Sequence, residues 1–320
     1  MKKYRGPFFA ILFLLSFPII ITKAQSFKVI QTEKIISDAQ KGFMAPAWSP
    51  DGSKIAFTSQ KYVGIWILYL QDNSIKQITD ETAAGFHLQW SNDSKTILTR
   101  VARYENMYRY NAVKTFDVAS GKANLLTDYR AMMPGLPEFT PGNDKVFLYG
   151  INKLEMFNSG LQPVLNKKLN VSNMIVYADE NKIAVQDLSN NQLYSFEPVK
   201  GKRILNLQLS PDGSKAAFEI YGGDMYVINI NGTGLTNLGV GYRPKWSPDS
   251  QYIVYMLTKD DGEAIVSSDI YYIKIDGTEK TNLTNTNDTI EMNPDWSPDG
   301  KKIAFDLTNE NAIYTIEIAK

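Results

Sequence analysis

His87 is the only histidine in the chain, and cysteine is absent. A zinc or manganese site built on several nitrogen or sulfur ligands is therefore excluded. Disulfides and thiolate chemistry go with it. One histidine would serve a Ser-His-Asp hydrolase, but no Gly-x-Ser-x-Gly elbow accompanies His87. Ligand contact and a plain structural role both stay open for it. Asp260-Asp261-Gly262-Glu263 and Asn285-Thr286-Asn287-Asp288 carry oxygens suited to Ca²⁺, yet neither has EF-hand spacing, and a solvated loop accounts for each. Glycoside chemistry needs carboxylates held roughly 5–10 Å apart. Glu105 and Asp261 are available acids, but linear spacing cannot pair them. No catalytic constellation is visible, and neither a metal nor a cofactor is expected.

Four further aspartates occupy one recurring setting. Trp48-Ser49-Pro50-Asp51-Gly52 returns as Trp296-Ser297-Pro298-Asp299-Gly300, with Leu209-Ser210-Pro211-Asp212-Gly213 and Trp246-Ser247-Pro248-Asp249-Ser250 between. A worn copy stands at Trp90-Ser91-Asn92-Asp93-Ser94. Proline pre-sets φ, glycine accepts positive φ, and an aspartate here bonds its own backbone. Such aspartates, one per repeat, lie too far apart to share an ion. The tryptophans at one repeat position read as packing between repeats rather than a binding platform.

The elements around these turns repeat as well. Repeat one runs from Met44 to Asp80 with four short β-prone segments: Ala45 to Trp48, Lys54 to Ser59, Ile65 to Leu70 and Ser74 to Thr79. Repeat two covers Gly85 to Asp128, with an insertion from Arg100 to Tyr108. Repeats three (from Leu136, ending in a segment Leu161 to Leu165) and four (from Ile175) are degenerate. Repeats five (Leu205 to Leu238) and six (Tyr242 to Thr284, with an insertion from Lys259 to Asp269) are clear. Repeat seven starts at Met292 and has only three segments before Lys320. The anchors at 49, 91, 140, 179, 210, 247 and 297 recur about every 41 residues, the period of a four-stranded propeller blade. The expectation is an all-β propeller of seven antiparallel blades, with six as the alternative if repeats three and four share one. Gln31 to Ser37 resembles the fourth segments of other repeats and is expected to complete blade seven, closing the ring and leaving few free edges.

Residues 1–24 have the plan of a secretory signal peptide: Lys2, Lys3 and Arg5, then an apolar run from Pro7 to Thr22, then a small-residue site at Ala24. The rival reading is an uncleaved anchor, although the run is short for a spanning helix. The remainder, 25–320, reads as one domain. The chain carries 34 basic and 34 acidic residues, and loss of the leader leaves a net charge of about −4. With no basic excess, nucleic acid is not an expected partner. Export without cysteine fits a bacterial periplasm or a secreted protein, and rules out a lipid-modified N-terminal cysteine.

These repeats resemble the WD-like repeats of the TolB propeller family. The matching stretches are Pro46 to Phe57, Leu209 to Phe218, Pro244 to Tyr255, Ile270 to Thr284 and Asp295 to Phe305. The resemblance spans the expected mature chain, without the α/β domain that precedes the propeller in TolB itself. It implies a periplasmic interaction module. Related repeats occur in peptidase propellers and in sugar-acid lyases, whose metal site needs several histidines.

In such a propeller the connections entering each inner strand, and both insertions, share one face. That face is expected to carry Phe43, Met44, Phe86, His87, Tyr242, Arg243, Met292 and Asn293, with Arg103, Tyr104, Glu105 and Tyr108 on one insertion. Aromatic and arginine side chains on exposed loops suit protein contacts. The expected function is a monomeric, non-enzymatic module binding a cell-envelope protein or peptide. The alternative is a carbohydrate-binding or carbohydrate-processing propeller.

Overall fold

The recurrent turn closes on its own side chains. Ser49 Oγ donates to Asp51 Oδ1 at 2.6 Å, and the same bond at 2.6 Å recurs for Ser91–Asp93, Ser210–Asp212, Ser247–Asp249 and Ser297–Asp299. The backbone N–H groups of Lys54, Thr96, Lys215, Tyr252 and Lys302 donate to the same serines. These bonds hold the Asp51, Asp212 and Asp299 carboxyls below the usual range against a counteracting burial. The aspartates are turn residues, as the spacing implied. Each turn reverses the chain from an innermost strand into a second strand, and so fixes the entry to its own blade in five of the seven.

A computed structural model describes residues 27–163 and 173–319. The leader assigned to 1–24 and the end of the segment expected at 161–165 lie outside the described residues. Among the described residues no helix is long and apolar enough to cross a membrane.

The strands form a seven-bladed propeller. Blade one is Met44–Trp48, Lys54–Thr58, Ile65–Tyr69 and Ser74–Thr79. Blade two is Gln89–Trp90, Thr96–Glu105, Tyr108–Asp117 and Ala123–Leu125. Blades five, six and seven also have four strands, while three and four show three each among the described residues. All pairings between neighbouring strands in a blade are antiparallel. The degenerate repeats three and four are separate sheets, which removes the six-bladed alternative.

Lys28–Ser37 is the outer strand of blade seven. It pairs with Ala312–Ala319, Thr32 opposite Ile316, and the sheet order runs from it inward to Glu291–Trp296. Its start is pinned by Phe27, whose ring lies edge-on to Tyr252 and Tyr272 at 5.1 Å each. The Phe27 N–H donates to Tyr272 Oη at 2.7 Å. First and last strands thus share a blade, and the ring is closed.

The apolar core is divided rather than central. A separate buried cluster fills each of the seven interfaces between adjacent blades. A strand buried on both faces cannot alternate strictly. This explains why second strands such as Lys54–Thr58 and Lys302–Leu307 read as near-continuous apolar runs. The tryptophans fill these interfaces. Trp90 Nε1 donates to Ala47 O at 3.1 Å and Trp246 Nε1 to Gln208 O at 3.2 Å, each reaching the inner strand of the preceding blade in space.

The two insertions are mostly strand. Thr96–Glu105 and Tyr108–Asp117 are ten-residue strands paired to the tip, Glu105 opposite Tyr108. Asn106 and Met107, at φ 50° and 67°, make the two-residue turn. Tyr252–Asp260 and Ile265–Lys274 form a similar long hairpin in blade six. The added residues extend an existing ladder, since the alternation of Thr96–Glu105 suits a strand throughout.

Candidate binding channel

The innermost strands begin with a bulge. Three residues before the anchor Trp or Leu, the backbone turns left-handed at Ala45, His87, Asn206, Arg243 and Asn293, with φ between 48° and 57°. Register shifts mark the bulge at Met44/Ala47, Leu205/Gln208, Tyr242/Lys245 and Met292/Asp295. A bulge breaks pairing locally and re-aims side chains. Here it directs them to the axis, where a cavity of about 230 Å³ is lined from blades one, two, three, five, six and seven.

Two acids fix the upper layer. Asp306 Oδ1 accepts the Ala45 N–H at 2.7 Å and Asn293 Nδ2 at 2.7 Å. Glu219 Oε1 accepts the Arg243 N–H and Asn206 Nδ2, the latter at 2.8 Å. Each acid follows the phenylalanine of its second strand, Phe305 or Phe218, and ties the bulge of its own blade to that of the next. Both are at least 95% buried. Burial raises the Asp306 carboxyl to about 6 and raises Glu219 too, although the donated hydrogen bonds and Arg243 oppose the shift.

Arg243 crosses the mouth. Its guanidinium donates to Asn293 Oδ1 and, at 3.4 Å, to Tyr62 Oη. The Tyr62 ring meets Phe86 edge-on at 4.9 Å. Blades six, seven, one and two are thereby linked around the opening. Below, Lys245 influences three groups from other blades. Burial raises Glu138 to about 7 and raises Asp295, while the Lys245 charge draws both back down. Burial also lowers His87 to about 4, with Lys245 and Arg100 adding to the effect. Glu138 and Asp295 are half-buried on their inner strands. Asp295 Oδ2 accepts the Trp48 N–H at 2.8 Å. His87 is neutral at pH 7, its Nε2 3.4 Å from Gln89 Nε2.

Of the residues singled out in the sequence, Phe86, His87, Arg243 and Asn293 line one cavity. Tyr242 stands on the rim, 37% exposed. Met44 begins its inner strand half-buried and does not line the cavity. Phe43 is buried, its ring 4.7 Å from Phe57 and 5.5 Å from Trp66, and has no surface to offer a partner. Arg103, Tyr104 and Tyr108 lie apart on the blade-two hairpin. Arg103 stacks over Tyr129 at 4.1 Å and pairs with Glu105 at 3.1 Å. Tyr104 and Tyr108 are exposed, and Met107 at the tip is 97% exposed.

The acidic loop of blade six bonds itself: Asp261 Oδ1 accepts the N–H groups of Glu263 and Ala264. Thr286 bonds to Asp269 and Glu291. No group of three or more His, Cys, Asp or Glu residues suited to a metal occurs among the described residues. Glu219, Asp306, Glu138, Asp295, Lys245, Asn206 and Tyr62 were missed in the sequence. For the charged ones the signal was a charge at one of two repeated positions, after the second-strand phenylalanine in Phe218-Glu219-Ile220 and Phe305-Asp306-Leu307, and before the anchor aromatic in Pro137-Glu138-Phe139, Pro244-Lys245-Trp246 and Pro294-Asp295-Trp296; Asn206 and Tyr62 carried no such signal.

No family model matches the sequence, and no curated protein does. Solved structures do match. TolB from Acinetobacter baumannii is 19% identical with a TM-score of 0.58, over 84% of this chain and 60% of that one. A putative TolB from Agrobacterium tumefaciens is 15% identical with a TM-score of 0.55, over 92% and 97%. The β-propeller domain of Myceliophteria thermophila Cps50 (Swd1) is 11% identical with a TM-score of 0.59, over 92% and 100%. The likeness is one of fold. This chain is a β-propeller related at low identity to TolB-type and WD-repeat-type propellers, and it spans 60% of the length of the Acinetobacter TolB.

Proposed function

We propose that this propeller is an exported, monomeric and non-enzymatic module that binds a protein or peptide of the cell envelope at the channel mouth. The observation that carries the reading is the convergence at one opening of Arg243, Asn293, Tyr62 and Phe86 from four blades. Arginine and aromatic groups held by neighbours are suited to anchor a partner at low entropic cost. The blade-two hairpin rises on the same face by topology, with Tyr104, Met107 and Tyr108 exposed. The leader-like segment at 1–24 and the fold shared with TolB support an envelope location. The carbohydrate alternative relied on Glu105 or Asp261. Glu105 is paired with Arg103, and Asp261 is engaged by its own loop.

The test is photo-crosslinking in the native envelope from labels at Tyr242 and Tyr108, compared with a label at Lys301 in a turn of the opposite face. A defined protein captured from the first pair and not from Lys301 is the expected result. Equal capture from both faces, or none, would reject the mouth as the interaction surface.

A further inference from the structure

We propose that the bore is a receptor for a single carboxylate, seated between the Arg243 guanidinium and the Lys245 ammonium. This rests on the reading of the channel as a binding site and names the group it receives.

Arg243 and Lys245 lie two positions apart on the inner strand Tyr242–Trp246, and both line the cavity. The left-handed bulge at Arg243 turns its side chain into the opening, and Lys245 follows one residue past the break. Among the described residues they are the only cations that line the cavity, His87 being held neutral. Among the described residues neither is in an ion pair within 4 Å, although carboxyls lie nearby. Three of those carboxyls engage other donors. Asp306 and Glu219 accept backbone N–H groups and asparagine amides, and Asp295 accepts the Trp48 N–H.

The two cations have donors to spare. A guanidinium has five N–H donors, and Arg243 directs its bonds at Asn293 and Tyr62, both neutral. The Lys245 ammonium has three, and one meets the side-chain oxygen of Gln208 at 3.2 Å once that amide is turned to satisfy its neighbours. Both cations are half-buried at the cavity wall with unused donors, and an entering carboxylate would accept charge-assisted hydrogen bonds from them.

The surroundings choose the anion. Glu138 and Asp295 are within electrostatic reach of Lys245, and Asp306 and Glu219 of Arg243. They offset part of the positive charge, so a planar monoanion that accepts a guanidinium fork fits better than a phosphate dianion. Phe86, Leu88, Leu136 and Pro294 supply an apolar wall for an attached hydrocarbon body. The volume of about 230 Å³ is below the roughly 300 Å³ at which sites for drug-sized ligands begin. A small organic acid, or an acidic side chain or C-terminus of a peptide, presents this chemistry, and an oligosaccharide is too large.

Calorimetric titration of the full protein with butyrate against butyramide, and with N-acetyl-alanyl-leucine against its C-terminal amide, tests the proposal. Binding of an acid and not of its amide is expected. Saturation should also shift the Arg243 Nε–H resonance. Lys245→Met should weaken the acid at least about tenfold, the usual scale of one charge-assisted hydrogen bond. Butyrate binding points to free acids and dipeptide binding alone to a peptide source. Equal binding of acid and amide, no binding of either acid, or an unmoved Arg243 resonance overturns the proposal. If Lys245→Met does not fold, Lys245→Gln and the wild-type resonance decide. Capture by the Tyr242 label that persists in folded Lys245→Met while acids fail to bind leaves the interaction reading standing without the carboxylate. Acid binding with no capture does the reverse.

Discussion

At the scale of single residues, the protein uses aspartate in two opposed ways. Asp51 and its counterparts sit in exposed turns, ionised and rich in short-range donors. Asp306 is 1% exposed and serves two donors from different blades, Ala45 N–H and Asn293 Nδ2. The difference sets the cost of removal. Asp306→Ala leaves two buried donors unsatisfied and should destabilise by roughly 2–4 kcal/mol, because each orphaned group costs about 1–3 kcal/mol. Asp51→Ala should cost only about 1 kcal/mol, the net value of a solvated turn bond. Urea unfolding of both variants checks the ranking, and an Asp306→Ala cost below that of Asp51→Ala would contradict the clamp role. Arg243 belongs to the same network. Its backbone N–H bonds Glu219 and its side chain joins three blades, so replacing it affects the fold as well as binding.

At the scale of elements, the closing strand carries more consequence than its exposure suggests. Lys28–Ser37 is mostly solvent-facing, with only Ile36 fully buried. Its hold on the ring comes from the ladder to Ala312–Ala319 and from Phe27 wedged among Tyr252, Tyr272 and Trp296. Phe27→Ala removes a half-buried aromatic from that wedge and should cost about 2 kcal/mol. Hydrogen exchange should then accelerate first in Ala312–Ala319. Uniform acceleration across all blades would show that the ring opens as one unit instead.

At the scale of the whole molecule, acids of opposite tendency shape stability against pH. Four carboxyls around the bore are raised: Asp306 to about 6, Glu138 to about 7, and Glu219 and Asp295 in the same direction. A raised carboxyl favours the fold while protonated, so its contribution is full below the unfolded value near 4 and is lost as pH rises through the folded value. The lowered turn aspartates act in reverse, their contribution disappearing as pH falls below about 4. The melting temperature should therefore peak between about pH 4 and 6 and decline toward pH 8. Glu138→Gln should flatten the decline toward pH 8 and leave the acid limb unchanged. A peak above pH 7 would refute the assignment.

The sequence by itself determined the ring. A repeat of about 41 residues with Pro-Asp-Gly turns specifies blades locally, because turn chemistry and strand alternation act over a few residues. It also placed Phe86, His87, Arg243 and Asn293 at equivalent entries to inner strands, which was enough to bring them to one opening. Phe43 occupies the corresponding stretch of blade one yet turns into the core, and Asp306 and Glu219 hid within apolar strands. Those outcomes depend on the left-handed bulges and on which neighbour lies across each blade interface. Only the closed ring sets both, since it brings residues as distant as Ala45 and Asp306 within one hydrogen bond.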